Sequence, residues 1–242
     1  MKQLFGGHRN KVYKTNGFVK VVWKDGFKRQ KQIREGVLLE NFVAVHADIK
    51  SRMLVDKSKP VEEEDGGLVT YFHYAEGEIR YPWNLEEISS AAKLLGKLHK
   101  TINSRKDSPS GTGRTVLNIH LDFARGNILF WPKTSDAIGV IDFETTVQGP
   151  VEQELGRSLS FILVDTPGEV YPAKQDPAPQ GELPILFTKL KQRSESFLTN
   201  YGLPYRKEDV VEWTKKYLSG DDFGSLNSVR DAAIQFINAL TY

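Results

Sequence analysis

Four polar side chains stand at the edges of two apolar runs. His120–Trp131 reads HLDFARGNILFW, and Gly139–Thr146 reads GVIDFETT. Asp122 and Asn127 come just before the first run; Asp142 and Glu144 close the second. The intervening PKTSDA is turn-forming, so the runs read as two strands of a hairpin. Antiparallel pairing sets the start of one strand beside the end of the other, which makes Asn127 and Asp142 neighbours. Asp122, in the preceding loop, can face the same space. The result is a cluster of hard oxygen ligands with few opposing charges, which suits Mg²⁺. The spacing also matches a catalytic loop for phosphoryl transfer. In that pattern one Asp orients and deprotonates an acceptor hydroxyl, an Asn five residues on holds Mg²⁺, and a second Asp after a hairpin holds the bridging metal.

Other elements must hold that hairpin in place. Asn10–Phe27 contains two β-branched and aromatic runs separated by TNG and closed by DG, both hairpin signals. From Lys28 the pattern turns helical, with Ile33, Val37, Phe42 and Val45 near helical spacing and Gly36 interrupting it. KPVEEEDGG is a charged turn, and LVTYFHYAEG is a strand running into a short linker. Asn84–Ile102 carries the strongest helical signal: Asn84 can cap it, Glu86 and Glu87 fall in its first turn, and Leu94, Leu95 and Leu98 share a face. Tyr171–Pro184 holds four of the eleven prolines and reads as a long loop, a candidate lid. Ile185 onward is helical. The order predicts an α+β chain of two lobes, β-rich first and mainly helical second.

Composition excludes several functions. The formal net charge of +2 and pI of about 8.6 are too mild for a polyanion binder. With no cysteine there is no disulfide, thiol nucleophile or Cys-ligated zinc, and the five histidines show no metal-ligand spacing. No window approaches the roughly 20 apolar residues of a membrane span, and no apolar stretch follows the N-terminal basic residues as in a secretory signal. The expectation is a cytoplasmic chain that binds neither nucleic acid nor membrane.

HLDFARGN resembles the HxDxxxxN loop of the aminoglycoside phosphotransferase and choline kinase group, and IDFE resembles its metal-binding motif. Protein kinases carry HRD and DFG there; Leu121 and Glu144 point to the small-molecule branch of that fold. The resemblance reaches from LFGGHRNKVYK to about Arg157. It implies a protein-kinase-like fold with a nucleotide-binding lobe at residues 1–74 and a catalytic and substrate lobe at 75–242. It implies ATP and Mg²⁺ as cofactors and a small molecule bearing a hydroxyl as acceptor: an aminoglycoside, an amino-alcohol or a sugar-like compound. Carried over residue by residue, Asp122 is the base, while Asn127, Asp142 and Glu144 lie at the metal. Gly6 and Gly7 lie over the ATP phosphates. A strand lysine grips those phosphates and a helix glutamate holds it. Lys20, in mid-strand, is preferred to Lys24 beside the Asp25–Gly26 turn, and Glu35 to Glu40. Backbone groups of Tyr71, Phe72 and His73 would bind adenine. Glu154 buttresses the catalytic loop, His120 supports it, and His99 reads as a helix-face residue. A nucleotide-binding scaffold without turnover is the alternative, and the intact Asp122, Asn127 and Asp142 set weighs against it.

Overall fold

The computed structural model describes residues 2–4, 10–15, 17–104, 116–124, 126–165, 183–220 and 227–239. The first part is an antiparallel sheet in the order β1-β2-β3-β5-β4, made of β1 (Lys2–Leu4), β2 (Lys11–Lys14), β3 (Phe18–Trp23), β4 (Glu62–Glu64) and β5 (Gly67–His73). Alternation along β3 divides FVKVVW between two faces. Val19, Val21 and Trp23 are buried together with Leu68 and Phe72 of β5. The Trp23 indole donates to the Thr70 hydroxyl (2.9 Å), which donates to the Pro60 carbonyl (3.0 Å), so the polar atoms in this core are satisfied.

That buried face is covered by α1 (Gln30–His46), which follows a 3-10 turn at Gly26–Arg29. Its buried stripe is Ile33, Gly36, Val37, Leu39, Glu40 and Val43, the spacing of an amphipathic helix. The expected Val45 faces solvent instead. Ile33 and Val37 join the sheet's core, whereas Leu39 and Val43 belong to the larger core of the second part. Residues 48–55, not recognised as structured from sequence, form a strap. Lys50 pairs in parallel with Gly139, and Leu54 pairs with Phe72.

The second part opens with β6 (Glu78–Ile79), which joins β8 (Ile128–Phe130) and β9 (Ala137–Val140) in the order β6-β8-β9. The expected hairpin is therefore present, with Ile128 opposite Val140. Between its strands β6 and β8 run α2 (Leu85–Asn103) and β7 (Val116–Ile119); β7 pairs with β10 (Val147–Pro150). Asn84 caps α2 as expected: its side chain accepts from the Glu87 amide, and the Glu87 carboxylate accepts from the Asn84 amide. Then follow α3 (Val151–Asp165), α4 (Leu183–Asn200), α5 (Lys207–Leu218) and α6 (Asn227–Ala239). Their apolar faces meet α2 and the hairpin in one core. The proline-rich segment expected to be a lid falls almost wholly outside the described residues.

Candidate active site

The candidate catalytic loop leaves β7 at His120, whose ring is fully buried. His120 Nδ1 accepts the Asp122 amide (3.2 Å), so the ring proton belongs on Nε2, which lies 3.1 Å from the Ile141 carbonyl. Thr145 Oγ1 donates to the His120 carbonyl (2.8 Å), and the Phe143 ring packs edge-on at 4.6 Å. One imidazole thus ties the loop to the end of β9, the supporting role expected of it. Leu121 then adopts a left-handed φ of 58°, a conformation that costs a side-chain-bearing residue about 1–2 kcal/mol. Its amide is held there by Glu154 Oε2 at 3.0 Å.

Glu154 is completely buried. Burial alone would raise its pKa, but the His99 contact and the Leu121 amide hold it below the ordinary carboxylate value. His99 Nε2 lies 3.6 Å from Glu154 Oε2, and His99 Nδ1 lies 2.7 Å from the Tyr201 hydroxyl. Burial, with the charges of Glu154 and Glu152, pushes the Tyr201 hydroxyl up, so it stays protonated and donates to Nδ1. His99, taken from sequence as a face residue, is therefore a buried link between α2, the catalytic loop and the residue following α4.

Asn127 Nδ2 donates to both the carbonyl (2.9 Å) and Oδ2 (2.8 Å) of Asp122. The Ile141 amide donates to the Asn127 carbonyl (2.9 Å), which places Asp142, the next residue, beside Asn127. The structure brings together Asp122, Asn127 and Asp142 as strand pairing predicts. Asn127 uses its amide nitrogen on Asp122, so its carbonyl oxygen is the group suited to a cation. Asp142 also has a left-handed φ, 72°, and its backbone is held from α1. Glu40 Oε2 accepts the amides of Asp142 (3.2 Å) and Phe143 (3.5 Å). The same carboxylate accepts Arg52 Nε (2.6 Å) and Nη2 (2.9 Å), and Nη2 lies 3.6 Å from Asp142 Oδ1. Burial opposes the Arg52 charge, but Glu40, Asp142 and Glu144 overcome it and raise the guanidinium pKa. A side chain at Gly36 would strike the Phe143 carbonyl, which is why α1 can approach this segment only at a glycine.

Several expectations are corrected. Glu35 does not hold Lys20: it is exposed on α1 and pairs with Lys31 at 3.9 Å. Glu40, the alternative, lies on the buried stripe but holds Arg52. Lys20 lies on the sheet face opposite α1, with its ammonium against Glu64 and 5.7 Å from the Tyr71 ring centre. The Glu64 hydrogen bond outweighs desolvation and raises its pKa. Lys24 is exposed at the turn. The Tyr71 carbonyl accepts from Val55 and the His73 amide donates to Met53, while Phe72 lies opposite Val19 in the ladder. The Tyr71 carbonyl and the His73 amide are therefore used by the strap, and Phe72 is buried in the sheet's core. The linker starts one residue later; among the described residues, Tyr74, Ala75 and Glu76 make no backbone–backbone hydrogen bond outside helices and strands. Glu144, expected at the metal, is buried, with Oε1 accepting from Asn10 (3.1 Å) and Oε2 3.3 Å from Arg29 Nη2. Gly6 and Gly7 lie outside the described residues.

Arg52, Arg29 and Asn10 went unread as site residues. Among the described residues no group of three or more His, Asp or Glu side chains could hold a metal. A divalent ion here would have the Asp142 carboxylate and the Asn127 side-chain amide oxygen as protein ligands. So few hard oxygens suit Mg²⁺, which keeps waters and binds through substrate phosphates, better than Ca²⁺ or Zn²⁺.

Over residues 30–179, more than half of its length, the chain matches the family described as the phosphotransferase enzyme family. No curated protein matches it. Among solved structures it is similar to the aminoglycoside phosphotransferase APH(3'')-Id from Streptomyces rimosus, with 11% identity over 96% of this chain and 92% of that one and a TM-score of 0.59. It is similar to aminoglycoside 2'-phosphotransferase-IIIa in its GDP complex, with 13% identity over 100% and 93% and a TM-score of 0.59. A microcompartment-associated aminopropanol kinase gives 14% identity over 98% and 92%, with a TM-score of 0.56. At such identities the likeness shows the fold: the two-lobed, protein-kinase-like α+β arrangement.

Proposed function

The chain belongs to the phosphotransferase enzyme family, and on that premise we propose that it is an ATP-dependent kinase transferring the γ-phosphate to a hydroxyl of a small molecule. The observation that carries this reading is the Asp122–Asn127 clamp, closed by two hydrogen bonds and set beside Asp142 by the hairpin. Asp122 Oδ2 is used on Asn127, which leaves Oδ1 to orient the acceptor. The acceptor oxygen forms a bond to the γ-phosphorus as the bond to the β-phosphate oxygen breaks, and the hydroxyl proton passes to Asp122. Because the transition state is loose, orientation matters more than base strength. Asp142 and the Asn127 side-chain oxygen would hold Mg²⁺, which when bound neutralises charge on the phosphates. Glu144 acts at one remove, fastening Asn10 and Arg29 to the metal-binding segment.

The nucleotide would lie between a lobe of residues 1–74 and one of 75–242, with adenine against the linker backbone from Tyr74 to Glu76. The acceptor would lie over the helical lobe. The solved relatives named above act on aminoglycosides and aminopropanol, so aminoglycosides, amino-alcohols and sugars form the acceptor panel. Asp122→Ala should abolish turnover on that panel while MgATP binding, followed by calorimetry, survives. A variant that keeps turnover overturns the assignment of Asp122 and the reading built on it.

A further inference from the structure

Asp122 and Asp142 stand at the proposed site, with the buried carboxylates of Glu40 and Glu144 beside the 142–144 segment, so a nucleoside triphosphate there needs a well-placed cation. The sheet face that looks toward α1 and the metal-binding segment carries Val19, Val21 and Trp23 on β3, all apolar and buried. Lys20 alternates to the other face. Turning it inward would require a one-residue register slip that also moves those three core residues to the opposite face. No side chain of β3 can therefore bring a positive charge to the cleft.

Arg52 can. It projects from the strap, whose neighbours Lys50 and Leu54 are pinned to Gly139 and Phe72. Its guanidinium lies 4.4 Å over the Phe72 ring centre, is gripped side-on by Glu40, and reaches to 3.6 Å from Asp142 Oδ1. Glu40 uses Nε and one N–H of Nη2. Nη2 also lies near Asp142 Oδ1, so the two N–H groups of Nη1 are the donors left for phosphate, to which guanidinium geometry is suited. We propose that Arg52, held by Glu40, grips the nucleotide phosphates in place of a strand lysine. The inference rests on the kinase reading. It makes Glu40 a positioning residue that fixes the cation and the metal-binding segment by one carboxylate.

Isothermal calorimetry with MgADP and with adenosine separates phosphate contact from base contact. The series is the unmodified chain, Arg52→Gln, the double variant Glu40→Gln/Arg52→Gln, and Lys20→Met. The double variant removes both charges together, so no lone buried charge threatens folding. Arg52→Gln, and the double variant should the single one fail to fold, are expected to weaken MgADP by about tenfold or more, the scale of one or two charge-assisted hydrogen bonds, with adenosine affinity unchanged. Lys20→Met should leave both affinities unchanged. The inference is overturned if loss of Arg52 spares MgADP, if it weakens adenosine equally, or if Lys20→Met produces the phosphate-selective loss. An unmodified chain that binds neither ligand overturns the kinase reading and this inference with it, a result distinct from the other three.

Discussion

Gly36→Ala tests whether α1 sets the position of the proposed metal-binding segment at Asp142–Glu144. A Cβ at Gly36 would lie 2.5 Å from the Phe143 carbonyl oxygen, 2.8 Å from its carbon and 2.9 Å from Glu144 Cα. All three are backbone atoms and cannot rotate away. Restoring an ordinary contact of 3.4 Å to that oxygen requires the two backbones to part by 3.4 − 2.5 = 0.9 Å. Glu40 lies one turn farther along the same face, 3.2 and 3.5 Å from the Asp142 and Phe143 amides. The same parting would lengthen these to about 4.1 and 4.4 Å, beyond hydrogen-bond range. Alanine gains about 1 kcal/mol of helix propensity over glycine, whereas overpacking costs about 1–3 kcal/mol and each lost bond to a carboxylate about 1.5–3 kcal/mol. The balance is a net loss of at least about 3 kcal/mol in urea unfolding. Turnover should suffer more, because a displacement near 1 Å at a reacting centre costs about 100-fold. If the variant gains about 1 kcal/mol, as an unobstructed helix position would, and turns over at the original rate, the close approach does not position Asp142.

Glu154→Gln should cost about 1–3 kcal/mol at neutral pH, the range for disturbing a buried polar partner. Its carboxylate is held below its unfolded pKa, so its contribution is present above the unfolded value of about 4.3 and is lost as pH falls through the folded one. Urea midpoints of the two chains should therefore converge on acidification, and a gap independent of pH would show that the charge of Glu154 is not what stabilises the loop. Gly139→Ala would press a methyl group on the Lys50 carbonyl and break the Lys50–Ile138 and Val140–Lys50 hydrogen bonds, at 2.7 and 3.0 Å. The expected loss is about 2–3 kcal/mol in thermal or urea unfolding. It should be accompanied by weaker MgADP binding, because Arg52 lies two residues from the displaced group. An unchanged midpoint would refute a supporting role for the strap.

The parts of the site that were legible in the sequence are those fixed by local pattern. Asp122, Asn127 and Asp142 are joined by a hairpin whose apolar strands and turn residues are contiguous, so strand pairing alone brings them together. The cap at Asn84 is equally local. The face of Lys20 was misread because mid-strand position does not say which side of the sheet meets the helix. In FVKVVW, Lys20 interrupts an apolar run, and alternation from it marks the outer face. Glu35 is preferred from sequence because it leads the apolar face of the helix, whereas the partner that buries Glu40 is set by a strap with no regular pattern. His99 gives no local sign that Glu154 and Tyr201 will meet it inside the protein. The end of β5 is also set from outside its own segment, since residues 53–55 claim the backbone of Tyr71 and His73.

Because α1 gives Ile33 and Val37 to one core and Leu39 and Val43 to the other, the two lobes are not interchangeable modules. A graft of the first lobe onto a relative's second lobe would carry half of a helix's apolar face into a core shaped for different side chains. On the proposed reading, acceptor specificity would be free to change in the helical region, whereas α1 and the strap at 48–55 are bound to evolve together with the hairpin they rest on.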